Sequence, residues 1–343
     1  MYPETQLLIQ QKMQAGIYPG VIYTLIEDGK SETHALGLAQ VEPTRVPMEL
    51  DKLFDVASLT KVVCTTTVML KLFEQGKLTW DQPLCDLLPQ FQNQTITLRH
   101  LLTHTSDIQT YIPNRDQLDA KELRAAYLTL QPGKHLGQVV KYTDAGTILL
   151  GFLIEELYQQ DVVTVFKQEV LAPLGMTDSL FLPTHITDRI IPTEKLADGR
   201  ILKGETHDPK ARVLAEHAGN AGLFTTNADL QKFCALYLNE GFVNGKQFLQ
   251  PATIDSLLHD QTPNQKGDRS LGWNLKHSLV DQQNLLFHTG YTGTFLLLDV
   301  KRHGAFVFLS NRVHPIDRNP SYLKNRDEIL AHYLIERKNQ FQL

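Results

Sequence analysis

Along this chain the apolar positions change period from helical to strand-like and back. Residues 4–14 set Leu7, Leu8 and Ile9 among polar neighbours and stop before Gly16, which predicts a helix. Residues 21–27 and 31–39 are β-rich and flank Asp28-Gly29-Lys30, a hairpin signal. Residues 53–57 are strand-like and run into Ser58. The apolar and threonine run from Val62 to Leu70 then predicts a buried helix ending near Gly76. From about 78 to 258 the pattern is mostly helical, broken by Pro and Gly. Short apolar segments return at 284–288, 294–300 and 305–310, with turn signals at Gly290, Gly293 and Gly304, and the charged stretch 325–338 predicts a closing helix. The strands at either end are too few to be stable alone. They predict one antiparallel sheet built from both ends of the chain, with the helical middle inserted as a second lobe.

Ser58-Leu-Thr-Lys61 carries the first candidate chemistry. At the start of a helix this i,i+3 spacing puts the hydroxyl and the amine on one face, with Cβ atoms about 5–6 Å apart. A serine hydroxyl needs a base within hydrogen-bond reach to attack a carbonyl. The helix N-terminus adds N–H groups for the anion that forms. The same triplet at Ser321-Tyr-Leu-Lys324 opens a charged surface segment, and there Ser321 reads as a helix cap.

Two further elements follow. Tyr142-Thr143-Asp144 precedes the apolar stretch 145–151, and His288-Thr289-Gly290 ends a predicted strand just before Tyr291. Tyr237-Leu-Asn239 has a similar form to the former, but core packing in a helix explains it. Glycine at the strand end lets backbone approach a ligand closely.

In order and spacing these elements resemble the penicillin-recognising serine hydrolases: class C β-lactamases, penicillin-binding D,D-carboxypeptidases and their esterase relatives. Leu101-Leu102-Thr103-His104-Thr105-Ser106, Pro173-Leu174-Gly175-Met176, and His217-Ala218-Gly219 followed by Ala221-Gly222-Leu223-Phe224 extend the resemblance over most of the chain. It implies an α+β, β-lactamase/transpeptidase-like fold. Residues 1–77 and 262–343 would form an α/β lobe with the antiparallel sheet, residues 78–261 a mainly helical lobe, and the active site would lie in the cleft between them. By the same resemblance Ser58 is the nucleophile, Lys61 the helix lysine and Tyr142 the proton relay. The Ser58 and Tyr291 amides form the oxyanion hole, and Asp144, His288, Thr289 and Gly290 contact substrate.

Two positions depart from the family pattern. Asp144 stands where Asn is frequent, and His288 where Lys is frequent. With His288 neutral, the cleft loses about two units of positive charge. Anionic substrates are then expected to bind less well, which favours ester or neutral amide chemistry. If Asp144 contacts Lys61 it holds that lysine charged, and hydrolysis is expected to climb toward mildly alkaline pH. Arg312 is a candidate for restoring a carboxylate-binding charge, against the alternative of a surface salt bridge. His207, beside Asp208, is a candidate substrate contact.

The remaining composition narrows the alternatives. A formal charge of −5 argues against nucleic acid or an anionic membrane as partner, and no stretch approaches the length of a membrane span. The opening residues lack a basic leader and an apolar signal core, so a cytoplasmic location is expected. Cys64, Cys85 and Cys234 form no C-x-x-C pair and are expected to be reduced. His100 with His104, and His207, Asp208, Glu216 and His217, suggest zinc as an alternative, but no H-E-x-x-H is present. The expectation is a serine hydrolase with a small ester, amide or β-lactam substrate and no metal or organic cofactor. Its rival is a non-catalytic protein of the same fold that binds a wall fragment or β-lactam.

Overall fold

The computed structural model describes residues 1–317 and 319–341. Seven strands form an antiparallel sheet: β1 (Gly20–Glu27), β2 (Lys30–Gln40), β3 (Val46–Pro47), β4 (Asn274–His277), β5 (Asn284–Gly290), β6 (Thr294–Asp299) and β7 (Gly304–Ser310). Their order is β3-β2-β1-β7-β6-β5-β4. β1 pairs with β7, from Val21 opposite Ser310 to Ile26 opposite Ala305. The two ends of the chain therefore meet in mid-sheet, as the strand count predicts. β3 and β4 were not visible in the apolar pattern. Both are edge strands, and β4 buries only Leu275 of its four residues.

Five helices matter for the site: α1 (Pro3–Gln14), α2 (Thr67–Glu74), α3 (Ala145–Tyr158), α4 (Asn227–Leu238) and α5 (Asn319–Phe341). Both faces of the sheet are covered, which is why its central strands read as apolar runs without clean alternation. On the outer face Val21, Tyr23 and Leu25 of β1 and Phe306 and Phe308 of β7 pack beneath α1 and α5. On the inner face Ile22, Val307 and Leu309 join the main core with residues of α2, α3 and α4. α4 packs directly on β1, β6 and β7, and its Asn227 accepts a hydrogen bond of 2.5 Å from the Thr24 hydroxyl. That helix falls inside the span read from sequence as the helical lobe, yet it lies on the sheet.

The helix expected at Ser58 starts one residue later and continues through α2, widened by a π-helical stretch at Lys61–Thr66. The closing helix is longer than its charged pattern suggests. Ser321 sits in its first turn, and Tyr322, Ile329, Leu330 and Tyr333 supply the apolar face that anchors it. Tyr237 is fully buried, in keeping with a packing role.

Arg337 of α5 fastens the chain ends together. Its Nε and one terminal nitrogen reach Glu27 of β1 at 2.8 and 2.9 Å, and the other terminal nitrogen pairs with Asp299 of β6. All three side chains are largely buried. Removing one partner of a buried pair leaves uncompensated charge, typically costing about 3–5 kcal/mol. Arg337→Ala should lose stability on that scale in urea unfolding, and a loss below about 1 kcal/mol would place this clasp with ordinary surface pairs.

Candidate active site

Ser58 follows a kink. Ala57 has φ +46°, a left-handed conformation that costs a residue with a Cβ about 1–2 kcal/mol. Hydrogen bonds offset that cost: Asp55 Oδ1 accepts from the Ala57 amide at 2.8 Å, and the Thr60 hydroxyl donates to the Ala57 carbonyl at 2.7 Å. The kink delivers Ser58 to a cleft of about 870 Å³, which Tyr142, Asp144, Lys210, Arg269, His288 and Tyr291 also line.

Lys61 is almost fully buried, at 1% exposure. Its Nζ donates to Ser58 Oγ at 2.7 Å and to the Asn220 carbonyl at 2.9 Å, and meets Asp144 Oδ1 at 2.7 Å. An ammonium has three donors, and all three are thus committed. Burial works against its charge, but the Asp144 carboxylate and the Tyr142 phenol outweigh it and lift the lysine above its ordinary pKa. Burial also resists ionisation of Asp144, yet Lys61 and Lys210 hold that carboxyl well below its usual range. The contact anticipated between Asp144 and Lys61 is present, and both groups are charged.

Tyr142 is half-exposed, its ring stacked on His104 with centroids 4.5 Å apart. Lys61 Nζ and the Arg269 guanidinium carbon lie 5.4 and 5.7 Å from the ring centroid. His104 is therefore a support for the second element: its Nδ1 accepts from the Thr143 amide at 3.3 Å. His100 instead caps its own helix, accepting the Thr97 amide at 3.1 Å.

His288 is buried at 1% exposure, and both ring nitrogens lack a partner among the described residues. Burial, with Arg269 and Lys61 nearby, drives its pKa well below the usual histidine value, so it is neutral. Thr289 and Gly290 line the cleft beside it. A Cβ on Gly290 would stand 2.2 Å from the Val56 carbonyl oxygen, so only glycine lets this strand end abut the segment entering Ser58. Among the described residues, the Ser58 and Tyr291 amides donate to no turn or loop carbonyl, and both residues face the cleft.

For Arg312 the sequence left two alternatives open, a carboxylate-binding charge and a salt bridge. It lines the cleft, but its guanidinium pairs with Asp317, donates to the Tyr291 carbonyl and covers the Tyr291 ring at 4.5 Å. It holds Tyr291 in place and is not a free cation. His207 stacks on the other side of the cleft mouth, 5.6 Å from the Tyr291 ring, with Nε2 3.1 Å from Glu194.

Three residues went unnoticed in the sequence. Asn220 supplies a carbonyl to Lys61, and it sits within the stretch His217 to Phe224 already noted for its resemblance. Lys210 reaches Asp144 Oδ2 at 3.1 Å. Arg269 is 2% exposed, two of its guanidinium nitrogens lack partners, and among the described residues no carboxylate pairs with it. The cleft is therefore not depleted of positive charge, contrary to the balance struck from Asp144 and His288 alone.

The Beta-lactamase family model matches residues 6–331. The chain belongs to the beta-lactamase family. It is 27% identical over 384 residues to a protein from Escherichia coli (strain K12) named putative D-alanyl-D-alanine carboxypeptidase, covering 95% of this chain and 86% of that protein. It is 25% identical over 356 residues to a Bacillus subtilis (strain 168) protein named N-acetylmuramyl-L-alanine amidase, covering 90% and 80% of the two. In fold it is similar to the crystal structure of a class C beta-lactamase from Rhodobacter sphaeroides, with TM-score 0.75, 17% identity and coverage of 96% and 99%. Within the described residues of this family member, no helix is long and apolar enough to cross a membrane.

The ionised Lys61–Asp144 pair has a pH signature. A depressed carboxyl stabilises the fold above its unfolded pKa of about 3.9 and loses that contribution as pH falls toward the folded value. A raised lysine stabilises below about 10.4 and loses it as pH rises through the folded value. The Tm gap between wild type and Asp144→Asn should then be constant from about pH 5 to 9 and shrink below about pH 4. A gap that drifts steadily between those limits would mean one partner titrates there.

Proposed function

We propose that this beta-lactamase family member is a serine hydrolase that works through an acyl-enzyme on small esters or amides whose leaving group carries a carboxylate. The observation that carries the reading is Lys61 Nζ at 2.7 Å from Ser58 Oγ, at the floor of an open cleft. Lys61 keeps its proton and has no lone pair to offer. It orients Ser58 and steadies negative charge on Oγ, while Tyr142 in its phenolate form takes the Ser58 proton. Ser58 Oγ attacks the carbonyl carbon, and the oxyanion forms against the Ser58 and Tyr291 amides, a contribution of about 10²–10³ in rate per donor. Collapse of the tetrahedral adduct expels the leaving group, which takes its proton from Tyr142. Water, deprotonated by Tyr142, then attacks the acyl carbon; the bond to Ser58 Oγ breaks, Oγ takes its proton back from Tyr142, and the acid leaves.

The substrate class rests on Arg269. Its unpaired cation supplies the attraction for an anionic leaving group that neutral His288 does not. Burial pulls its pKa below the usual arginine value, and it remains charged at neutral pH. An arriving carboxylate gains from a buried cation that no carboxylate among the described residues pairs with. The naming of one relative as a D-alanyl-D-alanine carboxypeptidase supports a leaving group with a carboxylate, and the naming of another as an N-acetylmuramyl-L-alanine amidase supports amide chemistry.

Turnover of a p-nitrophenyl acyl ester and of an N-acyl-D-Ala-D-Ala peptide tests both parts. Ser58→Ala should lose at least about 10³ in kcat on each substrate. Arg269→Gln should raise KM for the peptide about tenfold more than for the neutral ester. Undiminished turnover by Ser58→Ala would overturn the mechanism, and equal losses on the two substrates for Arg269→Gln would overturn the substrate class.

A further inference from the structure

The charges around Lys61 close into a ring. Lys61 meets Asp144 Oδ1 at 2.7 Å, and the other oxygen of that carboxylate meets Lys210 at 3.1 Å. Lys210 also contacts Asp208 Oδ2 at 2.8 Å. Asp208 Oδ1 accepts from the Asn220 side-chain amide at 3.1 Å, and the Asn220 backbone carbonyl returns to Lys61 at 2.9 Å. Asp208 caps the short helix Pro209–Leu214, accepting the Ala211 amide at 2.8 Å, which fixes where Lys210 emerges. Four charges alternate in sign around this ring and sum to zero. None of the four side chains is more than a quarter exposed, so solvent screens them only in part.

We propose that Lys210 is a positioning residue for the Ser58–Lys61 pair and acts through Asp144. The proposal rests on the serine-hydrolase reading above. An aspartate shared between two cations divides its attraction between them. With Lys210 engaging one oxygen, Lys61 is held by half of the carboxylate and keeps its third hydrogen bond for Ser58. An Asp–Lys pair also carries the net charge of a neutral amide, so Lys210 offsets the departure from the frequent Asn at position 144. Without Lys210, the whole carboxylate charge falls on Lys61 and draws its ammonium away from Ser58. The cleft then carries one more negative charge where the oxyanion and the phenolate must form. In an Asp144→Asn background that link is absent, and Lys210 retains only Asp208.

The test is a double-mutant cycle on the p-nitrophenyl acyl ester, with Lys210→Met, Lys210→Arg, Asp144→Asn and the Lys210→Met/Asp144→Asn pair. Lys210→Met should lower kcat about tenfold when Asp144 is present and less than about twofold when Asn replaces it. Lys210→Arg should recover most of the loss. If Lys210→Met fails to fold, Lys210→Gln replaces it in the cycle. An equal cost for Lys210→Met in both backgrounds, with Ser58→Ala inactive, overturns the role of Lys210 alone. An active Ser58→Ala overturns the serine reading and this inference with it.

Discussion

A buried ammonium is the constraint around which the site is organised. Lys61 is too deeply buried to carry a charge alone, since desolvation of an ion costs several kcal/mol even after relaxation. It is tolerable because each N–H has an acceptor: a serine hydroxyl, a main-chain carbonyl and a carboxylate. Those acceptors come from the turn before the helix, from the loop at Asn220 and from the residue preceding α3. The need to satisfy one charge therefore draws three distant segments to a point, and that point is also where the nucleophile sits.

The backbone around Ser58 serves the same end. Asp55 is fully buried, and burial pushes its carboxyl pKa up; one oxygen accepts the Ala57 amide and the other the His207 amide at 2.7 Å. Its own carbonyl accepts the Thr292 hydroxyl at 2.7 Å, just past the strand end that carries His288, Thr289 and Gly290. One residue thus ties together the nucleophile's kink, the segment bearing Asp208 and Lys210, and the turn carrying Tyr291. The doubly covered sheet gives β5 the rigidity to hold that turn, and Arg312 fixes the Tyr291 carbonyl from behind. Preorganisation of this kind lowers the reorganisation needed when an oxyanion forms.

Much of this was legible before any coordinates. The five inner strands announced themselves through apolar runs and glycine turns, and Ser58 with Lys61 is a local spacing that a helix interprets directly. Tyr142 and His288 could be placed only through their order relative to that pair. What escaped has a physical reason. Arg269 and Asn220 are single residues in irregular segments and Lys210 sits in a six-residue helix, so their meaning lies in chain paths that no periodicity encodes. Asp144 did carry a hint, because a carboxylate in place of an amide calls for a compensating cation. Arg312 was left open between a carboxylate-binding charge and a salt bridge, and Asp317, five residues on, is the partner that the latter alternative called for. Edge strands β3 and β4 were missed because an edge can be polar.

The most direct measurement is of the covalent intermediate itself. After rapid mixing with a p-nitrophenyl acyl ester and acid quench, peptide mapping by mass spectrometry should find the acyl mass on Ser58. The adduct should be absent from Ser58→Ala and should decay at the rate of turnover. Hydrolysis with no such adduct at any quench time, or with the acyl group on another residue, would contradict the account.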